Sequence, residues 1–304
     1  MHPTALVLVL VSCFLHAGWN LQAKRWGASP AFFLVATVLV TLATTPVFWW
    51  VVADGGGLGN APRVLWICLL ITGACQAAYY YCLARAYRHG DVSLVYPLAR
   101  TTPLFVVPLA GLIQGRWPTL VALAGILLVV IGCFVLPRRS LDLRAERIAW
   151  RTYAGPGSLW AVATALASSG YTVADAIGMA SLRGLLPGGR GAFAYGYLEG
   201  ISTALWMALP VLVLEGKAGM TRAYSRPERG RALLLGGQIF FTYLLVLAAY
   251  GLADKVAYVA GLRQLSVVLG VLGGIHLLNE PGGGGRVLGS GIIVCGLALI
   301  ALAR

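Results

Sequence analysis

Ten apolar stretches joined by polar segments set the pattern of the chain: 4–23, 31–52, 64–84, 92–114, 119–137, 157–179, 192–214, 232–253, 256–278 and 287–303. A hydrocarbon core of ~30 Å takes about 20 largely apolar residues per helix, with roughly 17–25 tolerated. The pattern therefore predicts an all-α integral membrane protein of ten transmembrane helices. The joints are short apart from 138–156 and 215–231, which leaves no room for a soluble domain. Trp26, Trp49, Trp50, Trp66, Trp117 and Trp150 fall at or near the segment ends, where an indole ring stays in apolar surroundings while its N–H meets the headgroups.

Composition agrees with the pattern. The 304 residues are 59% hydrophobic and 11% charged, with a mean hydropathy of +0.81, against about 25% charged residues in soluble domains. The formal charge of +13 is scattered over loops beside apolar segments, so it fits anionic lipid headgroups as partners and not nucleic acid. The first segment has no basic region before it and runs into polar HAGWNLQAK, so it reads as a retained helix and not a cleaved signal. Cys13, Cys68, Cys75, Cys82, Cys133 and Cys295 all lie in apolar segments and read as small hydrophobes, without CxxC spacing.

Sliding the chain by 163 residues superposes its rare polar positions. Tyr80 meets Tyr243, Tyr87 meets Tyr250, Asp91 meets Asp254 and Arg100 meets Arg263; one gap later, Gly125 meets Gly289 and Gly132 meets Gly296. The chain thus divides into a five-helix repeat over 1–137, a basic connecting loop over 138–156 and a second five-helix repeat over 157–304. Because five is odd, the second copy enters the membrane from the opposite side. Inverted repeats of this kind recur in secondary transporters, with the substrate site near the midplane between the copies.

The order and spacing of HAGWNLQAK (His16 to Lys24), AYRHGDVSLVYPLARTTPLFVVPLAG, the glycine-spaced fifth helix and LLNEPGGGGRVLGSGIIVCG resemble the EamA-type transporters of the drug/metabolite transporter superfamily. The resemblance spans nearly the whole chain and implies a ten-helix transporter with no cofactor. Members typically close the fourth and ninth helices with an acidic turn. Glu280 fits this, while Gly115-Arg116 stands at the first-half position.

Two intramembrane arginines carry the candidate chemistry. Arg100 lies nine residues into its segment from Asp91, ~13 Å deep at 1.5 Å per residue, and Arg263 is equally deep from Asp254. A charge at that depth costs ~2.5–3.5 kcal/mol or more, so it faces a cavity or a partner. One reading is that both arginines bind an anionic group of the solute, carboxylate or phosphate, for which guanidinium is shaped. The other is that each pairs with Asp175 or Glu199 and locks the bundle. The same two carboxylates are the proton-coupling candidates, since burial disfavours a charged carboxylate.

His16, Trp19 and Asn20 share one face of the first helix with Lys24, either lining the substrate path or bonding to neighbouring helices; Lys24, at the helix end, would snorkel. Tyr80 and Tyr243, at equivalent positions, are expected as aromatic walls, with Tyr79, Tyr81 and Tyr250 as further candidates. Pro97, Pro103 and Pro108 should kink or unwind the fourth helix beside Arg100, and Gly261, Gly270, Gly273 and Gly274 should bring neighbours close to the ninth.

GGRVLGS (Gly284 to Ser290) lacks the lysine of a phosphate loop, and no GxSxG or HExxH pattern occurs. The expectation is a multi-pass protein of the cytoplasmic membrane, monomer or homodimer, that moves a small polar or anionic solute. The alternatives are a membrane enzyme acting on a lipid-linked substrate, or a scaffold. Lys and Arg number six on the side of the termini and fifteen on the other, which favours termini outside, whereas the resemblance implies termini inside.

Overall fold

A computed structural model describes residues 3–54, 58–115, 117–138, 153–186, 189–253, 256–279 and 283–303. Asp254, Glu280, Arg116 and nearly all of the connecting loop expected at 138–156 lie outside the described residues. Among those described there are only helices: α1 (Pro3–Arg25), α2 (Pro30–Asp54), α3 (Arg63–His89), α4 (Val92–Ala99), α5 (Pro103–Gln114), α6 (Leu120–Val135), α7 (Pro156–Leu182), α8 (Gly189–Leu214), α9 (Gly216–Ala223), α10 (Arg226–Gly251), α11 (Val256–Leu262), α12 (Leu265–Leu277) and α13 (Gly284–Leu302).

Eight stretches are long and apolar enough to cross a bilayer, two fewer than the sequence pattern predicts. α6 falls short in length, since its 16 residues reach ~24 Å. α7 is long enough at 27 residues but spends its buried face on Thr164, Ser168, Ser169, Thr172 and Asp175, which lowers its hydropathy. The surface is apolar where a soluble protein's is polar: Leu120 is 85% exposed and Val287 77%, while Arg100 and Asp175 are buried. Water would not tolerate so much contiguous apolar area; a multi-pass membrane protein requires it.

Two of the eight spans are interrupted. Leu94–Gln114 comprises α4 and α5, and Val256–Leu277 comprises α11 and α12. Pro103 opens α5, and its missing N–H and fixed φ account for the first break, as the prolines predict. The second break has no proline. Polar side chains supply the bonds a regular helix would have made: Thr101 Oγ1 donates to the Leu98 carbonyl at 2.8 Å, Gln264 Nε2 to Ala260 at 2.7 Å and Ser266 Oγ to Arg263 at 2.7 Å. Broken helices survive at membrane depth only when the freed carbonyls are satisfied in this way.

α3 packs along α7 and α8, α10 along α1 and α2, α2 against α8, and α6 against α13. The α6–α13 seam is a close backbone contact. A Cβ on Gly125 would lie 2.6 Å from the Gly296 carbonyl, and one on Gly132 2.9 Å from that of Gly289, so the helices run antiparallel with backbones touching. Gly270 and Gly273 likewise admit Tyr96 and Leu21. Gly125→Val should destabilise the protein by about 1–3 kcal/mol, because backbone cannot step aside. Thermal unfolding in detergent checks this, and an unchanged melting temperature would refute the seam.

Lys24 is not left to snorkel. Its ammonium donates to the Tyr87 and Gly90 carbonyls, each at 2.7 Å, capping the C-terminal end of α3 where a cation is favoured. Glu215 accepts from the Ala31 N–H at 3.3 Å at the start of α2.

Candidate functional site

The two helix breaks meet in the buried middle of the chain. Arg100 follows α4 directly, and its Nη2 donates across to the Arg263 carbonyl at 3.1 Å and to Ser266 Oγ at 3.3 Å. It therefore caps the C-terminal end of α11, adding a charged donor to a carbonyl that Ser266 already bonds, at a point where the helix dipole favours a cation. Cys13 Sγ adds a weak contact to the same carbonyl at 3.6 Å.

Arg263 does not reciprocate. The position 163 residues before Ser266 is Pro103, which offers no side-chain acceptor, so one of the two acceptors that hold Arg100 has no counterpart for Arg263. Its side chain instead lines a small cavity with His16, Trp19, Gln76, Tyr80 and Tyr243 among its walls. No carboxylate of a described residue lies within ion-pair distance of either arginine; the ion pair among them is the exposed Arg231–Glu228 contact at 2.8 Å.

Two residues of the cavity wall carry unspent polar atoms. His16 Nε2 and Gln76 Oε1 are buried and have no hydrogen-bond partner among the described residues. An unpaired buried polar atom is destabilising unless water or a ligand meets it. The walls are aromatic: Trp19 stands edge-on to His16 at 4.8 Å, Tyr80 stacks on Phe33 at 5.0 Å, and Tyr79 is perpendicular to Tyr171 at 5.7 Å. The cavity measures about 20 Å³, room for one water molecule.

The carboxylates are held by hydroxyls. Asp175 Oδ1 accepts from Thr72 Oγ1 at 2.7 Å and Tyr195 Oη at 3.2 Å, while Oδ2 accepts from Tyr243 Oη at 2.5 Å. Four helices, α3, α7, α8 and α10, thus converge on one fully buried group. Tyr243 belongs to both this cluster and the cavity wall. Glu199 Oε1 accepts from Thr203 Oγ1 at 2.6 Å, within its own helix.

Of the residues singled out from sequence, His16, Trp19, Tyr80, Tyr243 and Arg263 come together at the cavity, and Asp175 sits one hydroxyl away. Arg100 is next to it, engaged at the break. Asn20 is not in the cavity wall: its Nδ2 donates to the His16 carbonyl at 2.8 Å and its Oδ1 accepts from Tyr87 Oη at 2.8 Å, the helix-to-helix bonding that was its other reading. Gln76, Tyr171, Thr72 and Tyr195 complete the site and were not foreseen. Helical spacing could have found three of them, since Thr72, Gln76 and Tyr80 follow i, i+4, i+8 and Tyr171 precedes Asp175 by four.

Comparison with known proteins bears on this arrangement. No curated protein matches the chain. A solved crystal structure of a protein matches over 100% of both chains with a TM-score of 0.67 at 22% identity, a likeness of fold. The model of the EamA-like transporter family matches residues 3–137. The segment 3–137 is thus similar to the EamA-like transporters of the drug/metabolite transporter superfamily.

Proposed function

We propose that the chain is a secondary transporter that carries a small anionic or polar metabolite across the cytoplasmic membrane by alternating access, with Arg263 gripping the anionic group. The observation that carries this reading is a membrane-depth guanidinium without a carboxylate partner among the described residues, aimed into a cavity beside unpaired His16 Nε2 and Gln76 Oε1. A carboxylate or phosphate would pair with Arg263 and accept from His16 Nε2 in its N–H form, while Gln76 Oε1, an acceptor, would take a hydroxyl or N–H donor elsewhere on the solute. Trp19, Tyr80 and Tyr243 would enclose the rest of the solute. Arg100 acts as a positioning residue, fixing the backbone on which Arg263 stands.

In this reading the ten helical segments form two inverted repeats, with α4–α5 and α11–α12 each counting as one broken helix. The packing pattern supports it. Exchanging the halves turns the α1–α10 contact into α7–α3 and α2–α10 into α8–α3, and both members of each pair occur. The glycine seam obeys the same exchange: if Gly125 corresponds to Gly289 and Gly132 to Gly296, the contact Gly125–Gly296 maps onto Gly289–Gly132. The matched family segment also ends at residue 137. A cavity that holds one water molecule is a closed state, so a metabolite gains access when helices on one side part, and broken helices supply the hinges.

Proton coupling is assigned to Asp175 ahead of Glu199, because Tyr243 Oη ties Asp175 to the cavity wall while Glu199, among the described residues, bonds along α8. Proteoliposomes loaded with unlabelled carboxylates or phosphate esters should accelerate entry of the matching labelled anion by counterflow. Absence of counterflow for every anion class, with well-folded protein in the vesicles, would rule the transport reading out.

A further inference from the structure

A groove of about 460 Å³ opens on the outer surface between α2 and α8 and is closed at one end by α9. Leu34, Val38 and Leu42 form one wall and Leu205 and Leu212 the other, with Tyr224 at the mouth. Its walls run from near the ends of α2 and α8 towards their middles. The rise along α2 from Leu34 to Leu42 gives ~12 Å of depth, close to half of the ~30 Å hydrocarbon core. The groove is thus as deep as one leaflet and apolar throughout its length.

The mouth has the opposite character. Lys217 and Arg222 on α9, which closes the groove, and Arg226 and Arg229 at the start of α10 are all exposed, and the Arg229 guanidinium lies over the ring of Tyr224, a groove residue, at 5.3 Å. The two carboxylates nearby are already engaged, Glu215 by the Ala31 N–H and Glu228 by Arg231. The segment that closes this apolar slot of leaflet depth thus carries four exposed cations, one of them over the Tyr224 ring.

We propose that this groove is a binding site for one anionic phospholipid, its acyl chain between α2 and α8 and its phosphate among Lys217, Arg222, Arg226 and Arg229. The lipid would brace the α2–α8 contact, the seam along which the two halves touch on this side. A zwitterionic lipid fits the slot equally well but leaves these cations unneutralised, so the site selects by headgroup charge.

Native mass spectrometry of the full chain, released from nanodiscs of equal phosphatidylglycerol and phosphatidylcholine, tests this. The expected result is one retained lipid, predominantly phosphatidylglycerol. Arg222→Gln with Arg229→Gln, both exposed and safe for folding, should lower the preference by about fivefold per residue removed. Ala208→Trp, which fills the groove, should abolish retention of either lipid. Equal retention of both lipids by the wild type, undiminished retention in the tryptophan variant, or a disulfide-linked dimer through Leu205→Cys would each overturn the proposal.

Discussion

Arg263→Gln should lower counterflow by about two orders of magnitude while the protein remains inserted and folded. The side chain makes no bond that holds the bundle together among the described residues, and it faces a cavity, so its removal leaves packing largely intact. What it removes is the partner of a desolvated anion, a loss of 2–5 kcal/mol, with every ~1.4 kcal/mol equal to tenfold. Arg263→Lys keeps the charge but loses the planar fork, and should recover part of the activity. Arg100→Gln should behave differently. It deletes a charge-assisted bond to the Arg263 carbonyl and Ser266, so the expected change is ~1.5–3 kcal/mol of stability with substrate affinity altered only a few-fold. Equal loss of activity in both variants, at equal stability, would show that the two arginines share one role.

Asp175→Asn should leave counterflow running and abolish accumulation driven by a pH gradient. Exchange needs the anion site alone, whereas accumulation needs a group that alternately carries and releases a proton. Asparagine keeps an acceptor for Thr72 and Tyr195 but cannot ionise, so the hydroxyl cluster persists without its proton carrier. With one proton per solute, a gradient of one pH unit sustains about tenfold accumulation in the wild type. The variant should level off at no accumulation. Tyr243→Phe, which cuts the link between carboxylate and cavity wall, should weaken coupling and binding together. Accumulation by Asp175→Asn equal to that of the wild type would move the proton elsewhere, with Glu199 next in line.

The broad outline was legible because lipid makes polarity conspicuous. Arg100, Arg263 and Asp175 stand out of apolar runs, and a charge that deep must have an interior use. Three prolines around Arg100 announced the break between α4 and α5. The break at Arg263 was not announced, since it depends on Gln264 and Ser266 turning back to carbonyls of their own chain, a choice of local partner that the residue types leave open. The inequality of the arginines was hidden for a related reason: equivalent positions invite equivalent roles, and the difference lies in a neighbour, Ser266 against Pro103. Gln76 and Tyr171 escaped notice because single polar residues in a helix declare a face only once that helix's neighbours are known. The two missing spans have compositional causes, shortness in α6 and a polar inner face in α7.

Calorimetric titration of the purified protein with the anion that counterflow identifies tests the central claim most directly, because it reads occupancy of the cavity without any contribution from helix motion or proton coupling. Wild type and Arg100→Gln should bind with affinities within a few-fold of each other, and Arg263→Gln should show no measurable heat at the same concentrations. Binding of the anion to folded Arg263→Gln as tightly as to the wild type would contradict the account.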